Sequence, residues 1–478
     1  MPNNPSNSIQ KVVALCSVVW LALANAVGLW LAMLLIWPRL GDLLSPLTYG
    51  RWVPLHMDWQ LYGWCSLPLL GLLLMRFFEE DCEAEVLTVS ALGFWSIGLL
   101  AGGVTWLSGQ ATGKPFLNWT GWGGAFFIAA QVAVWSLLAI AFFRSWRRWA
   151  TGGQRSRKWI AIVLKTGILL SLLGVPLALF ILSNPTIYPP VNPDSGGATG
   201  HSLLASTLCL VFLMGLLPGP LLRLRWKKGR RKGLLLAFWI AFAGSVFLYA
   251  SIGHGNASNE EWDQVLGLGS LLIWPVFVAL LWQSYEWSSE SKLWKRSFFF
   301  WWALLAIDGW GIFLPMFLDT LKFTNALVAH SHLAMAGAVT AFNMLILLEM
   351  GSAKSVREIL GQPRAAWAWN LSCLAFVAVL TLQGWREGNQ PGALFDFDKL
   401  TETAYIARLL AGGAMFGISA YWVWQSATVF AKKVAIEALD DAFATRRKAF
   451  SAEVGGIEIT NRTADGADYR CRINFEKP

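Results

Sequence analysis

Charged residues are scarce in this sequence: Asp, Glu, Lys and Arg make up only 14% of its 478 residues, whereas hydrophobic residues make up 55%. Soluble domains carry about 25% charged residues, and the mean hydropathy here is +0.49. This shortage of charge excludes an ordinary soluble enzyme or binding module. We therefore expect a chain that lies in a lipid bilayer.

Cysteine motifs are also missing. No C-x-x-C or C-x-x-C-H pattern occurs, so the sequence offers no site for covalent attachment of a haem. The cysteines are scattered and are interpreted as buried apolar side chains or loop thiols. They are Cys16, Cys65, Cys82, Cys209, Cys373 and Cys471.

Long apolar runs are abundant instead. A helix that crosses roughly 30 Å of hydrocarbon needs about 20 residues, and twelve such runs can be read between Lys11 and Phe430. They predict an all-α, polytopic membrane protein with twelve transmembrane helices at 1–430 and a cytoplasmic tail at 431–478. The predicted spans are 11–37, 52–76, 86–108, 120–144, 158–183, 198–222, 233–254, 262–285, 298–319, 324–350, 366–386 and 402–430.

Basic residues in the loops indicate the orientation, because Lys and Arg are retained on the cytoplasmic side of a membrane. They cluster after the fourth and sixth spans, at 144–158 and 223–232, whereas the connections after the fifth, seventh and ninth spans contain few bases. Both termini are therefore expected in the cytoplasm, at a bacterial-type plasma membrane. The net charge of +9 reflects this bias and does not imply a nucleic-acid partner.

Histidines are few, and all five fall on the second, sixth, seventh and tenth predicted spans. The predicted topology places every one of them toward the outer face. Ionisable side chains inside a membrane are costly and usually face a bundle core, a cavity or a ligand. A lone histidine of this kind can simply bond a neighbouring helix, but five at one face favour a shared function. They are His56, His201, His254, His330 and His332.

His330 and His332 are two positions apart on one predicted helix. A helix turns about 100° per residue, so the two side chains are expected to point about 200° apart, onto opposite faces. One helix can then supply ligands to two different haems. Two axial imidazoles give an iron suited to electron transfer, whereas one imidazole leaves an open position for a gas.

This distribution of histidines, with the H-x-H doublet on the tenth span, resembles the haem-copper oxidase superfamily. The segment TNALVAHSHLAMAG at 324–337 is similar to the tenth-helix signature of that family, and FLYASIGHGNASNEEW at 247–262 resembles the C-type, b-haem oxidases between helices seven and eight. The resemblance covers about residues 11–430. It implies the catalytic subunit of a respiratory oxidase that contains two b-type haems.

The resemblance also implies roles for individual residues. His56 and His332 would be the axial ligands of a low-spin haem, and His330 the proximal ligand of a high-spin haem. Arg408 is expected to pair with haem propionates, because a guanidinium binds carboxylates in bidentate fashion. An interfacial arginine that points outward is the alternative for this residue. Tyr249 corresponds to an active-site tyrosine of the C-type enzymes.

The copper site departs from the family pattern. His201 matches the first copper ligand, but the adjacent histidine pair of the seventh helix is replaced by GHGN, which contains His254 alone. Relative to Tyr249, either the loop has shifted by one residue or both ligands are lost. Nitric oxide reductases carry a glutamate one turn after the first ligand, and Ala205 at that position counts against this branch. Copper binding is left open.

Two further charges lie inside predicted spans. Asp308 is in the middle of the ninth span, and Lys165 lies about two turns into the fifth. Ionisable groups in an apolar interior usually neutralise or find a partner. Both residues are therefore candidates for proton movement, although neither belongs to a known pathway motif.

Two functions follow from these patterns. In the first, the chain takes electrons from a c-type cytochrome, passes them through the low-spin haem and reduces oxygen at the high-spin haem, together with other oxidase subunits. In the second, a divergent relative without copper serves as a transmembrane haem electron carrier or an assembly component. The missing histidine pair favours the second function, whereas His201, Tyr249 and His254 favour the first.

Overall fold

The computed structural model describes residues 5–79, 81, 83–151, 155–187, 203–229, 233–252, 262–312, 314 and 316–453. Most of these residues are helical, and the only β-pairing among them is an isolated bridge between Trp226 and Tyr285. Several of the helices are long and apolar enough to cross a membrane. The all-α, polytopic architecture predicted from the apolar runs is therefore confirmed.

Long helices, labelled α1 to α12, follow one another along the described residues. Four of them contain a π-helical or 3-10 turn, and three of these four continue as an α-helix beyond it. Their bounds are α1 Pro5–Ile36; α2 Tyr49–Asp58, Trp59–Cys65 and Leu67–Phe78; α3 Ala84–Leu107; α4 Gly121–Thr151; α5 Arg155–Ser183; α6 Leu203–Leu216 and Leu217–Leu221; α7 Gly233–Ser251; α8 Trp262–Gly269, Ser270–Ile273 and Trp274–Gln283; α9 Lys292–Ile312; α10 Asn325–His332, Leu333–Val339 and Thr340–Glu349; α11 Pro363–Asn389; and α12 Lys399–Glu453. Short helices in the connections are Pro38–Leu44, Phe317–Leu321, Lys354–Leu360 and Pro391–Leu394.

Within the described residues, 11 helices are long and apolar enough to cross a membrane. The remaining long helix, α9, corresponds to the predicted span at 298–319 but ends at Ile312. Its Lys295, Arg296 and Asp308 make it less apolar than a typical span. The total of twelve transmembrane helices therefore stays a prediction.

Helix α10 is the most enclosed of the candidate spans. In its apolar stretch 72% of the residues are buried inside the protein, compared with 17% in α5 and 11% in α7. Helices α5 and α7 thus present their side chains outward, as lipid-facing helices do. Because α10 carries His330 and His332, these two histidines lie on the most central helix of the bundle.

Two π-helical turns lie beside the histidines of α2 and α10. The turn Trp59–Cys65 begins three residues after His56, and the turn Leu333–Val339 begins directly after His332. Turns of this kind are rare and occur frequently at functional sites. No local sequence pattern indicates either turn.

Buried hydrogen bonds join α2 to α10 near these turns. The indole Nε1 of Trp64 donates to Oγ1 of Thr340 at 2.9 Å, and Nδ2 of Asn343 donates to the backbone carbonyl of Trp64 at 2.8 Å. Trp64 and Asn343 are both buried. These polar contacts fix the two histidine-bearing helices to each other in an apolar interior, where an unpaired polar group is costly.

The chain divides into two compact units, Met1–Val423 and Trp424–Pro478. The first unit contains His56, His330 and His332 with their helices. In the second unit, the last part of α12 continues as a helix to Glu453. The predicted domain boundary at 430 stays a prediction.

Gln10 connects the beginning of α1 to the end of α10. The side chain is fully buried; its Nε2 donates to the carbonyl of Leu347 at 2.7 Å, and its Oε1 accepts from the backbone N–H of Ala353 at 2.8 Å. Buried backbone groups that lack a helical partner need another one. Gln10 supplies it to two backbone groups at once.

Replacing Gln10 by alanine should destabilise the protein, because Leu347 and Ala353 would each lose a buried partner. An unsatisfied buried group costs about 1–3 kcal/mol, so with two such groups the free energy of unfolding should fall by about 2–6 kcal/mol. Thermal unfolding in detergent measures the change. Gln390, which is exposed, is the matched control, and equal shifts in the two alanine variants would contradict the assignment.

Candidate cofactor site

His56 of α2 and His332 of α10 face each other inside the bundle. Their ring centres are 6.4 Å apart, and the ring planes differ by 23°. Nδ1 of His56 donates to the carbonyl of Ala24 in α1, and Nδ1 of His332 donates to the carbonyl of Val328, both at 2.8 Å. Because a carbonyl oxygen can only accept, each Nδ1 carries the proton, and each Nε2 keeps its lone pair for a metal.

The spacing of these two rings fits a single metal ion held between them. A metal–imidazole bond is about 2 Å long and the bonded nitrogen lies about 1 Å from its ring centre, so the two ring centres should lie about 6 Å apart. The observed separation is 6.4 Å. An iron between two imidazoles is the arrangement of a low-spin haem. The pair therefore fits the group that the resemblance implies for His56 and His332.

Gly28 of α1 leaves room for the ring of His56. A Cβ atom at this position would lie 2.6 Å from Cε1 and 3.0 Å from Nδ1 of His56, which is too close for nonbonded atoms. Any side chain at position 28 would therefore push the imidazole away from the carbonyl of Ala24. Glycine is required here because the imidazole of His56 occupies the space that a Cβ atom would need. The backbone conformation does not impose this requirement.

Phe376 and Arg408 lie next to His332. The ring centre of Phe376 is 4.6 Å from that of His332, and the guanidinium carbon of Arg408 is 5.6 Å from the Phe376 ring centre. Nη1 of Arg408 lies 3.5 Å from Oδ1 of Asn325, while its buried Nε has no hydrogen-bond partner among the described residues. A half-buried guanidinium with a buried, unused donor suits a carboxylate, and the propionates of a haem are carboxylates.

His330 contacts α9 instead. Its Nδ1 lies 2.7 Å from Oδ2 of Asp308, and a Cβ atom at Gly309 would lie 3.2 Å from its Cε1. Asp308, which the sequence suggested as a candidate for proton movement, thus has a histidine partner. A carboxylate that binds Nδ1 orients an imidazole ligand and raises its basicity at Nε2. The two histidines of α10 therefore occupy separate environments.

The predicted copper ligands His201 and His254 fall outside the described residues, so the copper site stays a prediction. Tyr249 lies half-buried on α7. Lys165 is buried on α5, with its Nζ 5.3 Å from the ring centre of Phe77. In the part of the chain that the structure describes, no three His, Cys, Asp or Glu side chains converge on a common metal position.

Comparison with models of known protein families and with curated proteins gives no match for this chain. Membership of the haem-copper oxidase superfamily therefore stays a prediction from the histidine pattern. The function must be inferred from the residues that surround His56, His330 and His332.

Several residues that hold the histidines were missed by the sequence reasoning. Ala24 contributes only a backbone carbonyl, and Gly28 is one of 44 glycines, so neither stands out in the sequence. Asp308 does stand out as a carboxylate in an apolar run. Its pairing with His330, however, depends on how α9 packs against α10, which no local pattern reports.

For a haem held by His56 and His332, replacing Gly28 by valine should weaken binding by about tenfold, because the new side chain displaces His56 and contacts that orient a metal ligand are worth about 10–100-fold in affinity. Haem titration of the purified apoprotein, followed by its visible absorption, measures this effect. Gly417→Val is the matched control, since a Cβ atom there meets nothing within 4 Å. Equal affinities in the two variants would contradict the assigned geometry.

Proposed function

We propose that this chain is a membrane-embedded haem protein that transfers electrons and resembles the catalytic subunit of a haem-copper oxidase. The opposed pair His56 and His332 carries the proposal, because its ring spacing and both Nδ1 hydrogen bonds suit one iron. The apolar helices support a place in the lipid bilayer, where burial between helices shields a cofactor from water.

The first haem is proposed to be low-spin and b-type, as in the oxidases that the chain resembles. A haem iron held by two imidazoles supplies one-electron transfer without an open position for a gas. His56 and His332 would hold this group at its iron, and Arg408 would bind its propionates. The chain contributes fixed ligand orientation, since Ala24 and Val328 prevent either ring from rotating.

The second haem is proposed at His330. This residue contributes one imidazole, and a haem with one protein ligand has an open position where a gas such as oxygen can bind. Asp308 holds the Nδ1 proton of His330 and strengthens Nε2 as a ligand atom. Because His330 and His332 are two residues apart on α10, the chain itself would keep the two haems close together.

Oxygen reduction is the first candidate activity. Electrons would come from a c-type cytochrome, either a subunit or a soluble protein, because this chain has no C-x-x-C-H motif. Other oxidase subunits would join it in a bacterial-type plasma membrane, with both termini in the cytoplasm. Copper would be bound only if His201 and His254 find a third donor.

A copper-free haem electron carrier or assembly component is the second candidate. The sequence GHGN at 253–256, which stands where the oxidases have an adjacent histidine pair, favours this function. The low-spin pair His56 and His332 would be retained in both cases. The two candidates therefore differ in the second metal site and share the first.

Metal analysis and visible spectroscopy of the purified chain distinguish these candidates. Both predict haem iron and the reduced-minus-oxidised spectrum of a low-spin b-type haem. The oxidase also predicts one copper per chain and a haem that binds carbon monoxide. Iron without copper would exclude the oxidase, and a chain without haem would exclude both candidates.

Single substitutions should separate the two haem sites. His332→Ala should abolish the low-spin spectrum, because the iron loses an axial ligand. Asp308→Asn should instead preserve that spectrum and weaken haem binding at His330 by about tenfold. Difference spectra with and without carbon monoxide measure both effects. Asp319→Asn, a change at an exposed carboxylate, is the control, and identical spectral changes in the first two variants would contradict the assignment.

A further inference from the structure

Glu387 is a buried carboxylate at the beginning of the histidine-bearing helix α10. Glu387 is only 2% exposed. Its Oε2 accepts from the backbone N–H of Asn325 at 2.7 Å, and its Oε1 accepts from Nδ2 of Asn325 at 2.6 Å and from Nε2 of Gln383 at 3.0 Å. All three partners are donors, as an ionised carboxylate requires. The neighbouring Arg386 pairs with Asp398 instead.

The same face of α11 lies in direct backbone contact with the start of α10. A Cβ atom at Gly384 would overlap the backbone nitrogen of Ala326, and a Cβ atom at Gly388 would lie 2.7 Å from the carbonyl oxygen of Thr320. These two glycines, one helical turn apart, allow α11 to approach both the start of α10 and the preceding short helix Phe317–Leu321. Glu387 lies between them in sequence. The close packing of α11 against the start of α10 therefore places its carboxylate next to the first N–H of α10.

Asn325 also connects this carboxylate to the arginine of the candidate site. Its Nδ2 donates to Glu387, while its Oδ1 lies 3.5 Å from Nη1 of Arg408. Arg408 in turn lies over Phe376, which contacts the ring of His332. A negative group, an amide and a positive group are therefore arranged in series beside the proposed low-spin haem site.

We infer that Glu387 is a positioning residue that both fixes α10 and lowers the reduction potential of the haem held by His56 and His332. The inference rests on the proposed function. A carboxylate at the N-terminus of a helix is favourably placed for its dipole, and it fixes the N–H of Asn325. His332 lies seven residues beyond Asn325, which is about 10 Å along the helix axis.

The charge of Glu387 favours the ferric state, because oxidised haem iron carries one more positive charge than reduced iron. With the rise of about 10 Å from Asn325 to His332 as the scale of the separation and an effective dielectric constant of about 20, one unit charge changes the one-electron equilibrium by about tenfold. Partial compensation by Arg408 makes the expected effect about three- to tenfold. Removal of the charge should therefore raise the reduction potential.

Redox titration of the full haem-loaded chain in detergent, with dithionite as the reductant, tests the inference. Glu387→Gln keeps the size and one acceptor oxygen but removes the charge. We expect the equilibrium to shift toward ferrous iron by about three- to tenfold, or about 30–60 mV at 59 mV per tenfold. Glu402→Gln, at an exposed position of α12, is the matched control and should shift it less than twofold. Both variants should keep the low-spin spectrum.

A potential in Glu387→Gln equal to that of the control, with the low-spin spectrum retained, would overturn the inference and leave the proposed function intact. If Glu387→Gln does not retain haem, Glu387→Asp decides the question, because it keeps the charge. Haem binding and a potential within twofold of the wild-type equilibrium would then support the inference, whereas loss of haem in both variants would overturn it. A wild-type chain without low-spin haem overturns the proposed function, and the inference falls with it.

Discussion

Two hydrogen bonds from histidine rings to backbone carbonyls determine what the centre of this bundle can do. The bond from His332 to Val328 stays within α10, so it needs only that helix. The bond from His56 to Ala24 joins α2 to α1, so it needs two helices packed in one register. Since an unpaired donor in an apolar interior is costly, each ring is held in one orientation. The proton on each Nδ1, and with it the free lone pair on each Nε2, follows from these two bonds.

The π-helical turns explain how α2 and α10 satisfy two demands at once. A π-helical turn accommodates an additional residue and rotates one half of a helix relative to the other. In α2 one half carries His56, while the turn itself carries the buried Trp64. In α10 the turn separates His332 from Thr340 and Asn343, which bind Trp64. In each helix, the histidine and the polar groups that bond the other helix can therefore both face the partner helix.

Periodicity and hydropathy predicted the helices, and the spacing of His330 and His332 predicted two separate environments on α10. These features depend on positions along a single segment. Gly28, Asp308 and Glu387 could not be assigned in this way, because each acts on a residue from another helix that is distant in sequence. A glycine that leaves space for an imidazole resembles any other glycine until the neighbouring helix is in place. The ninth span was predicted from its hydropathy. Its carboxylate Asp308 matters for the site because it is hydrogen-bonded to His330 on α10.

Helix α1 touches the site-bearing helices at two widely separated points. Gln10 holds the C-terminal end of α10, whereas Ala24 and Gly28 hold and accommodate His56. From Gln10 to Gly28 a helix rises about 27 Å, which is close to the thickness of the hydrocarbon core, roughly 30 Å. One helix therefore contacts the end of α10 near one boundary of the hydrocarbon core and His56 near the other. The depth of His56 in the bundle is thus set by the length of α1 between Gln10 and Ala24.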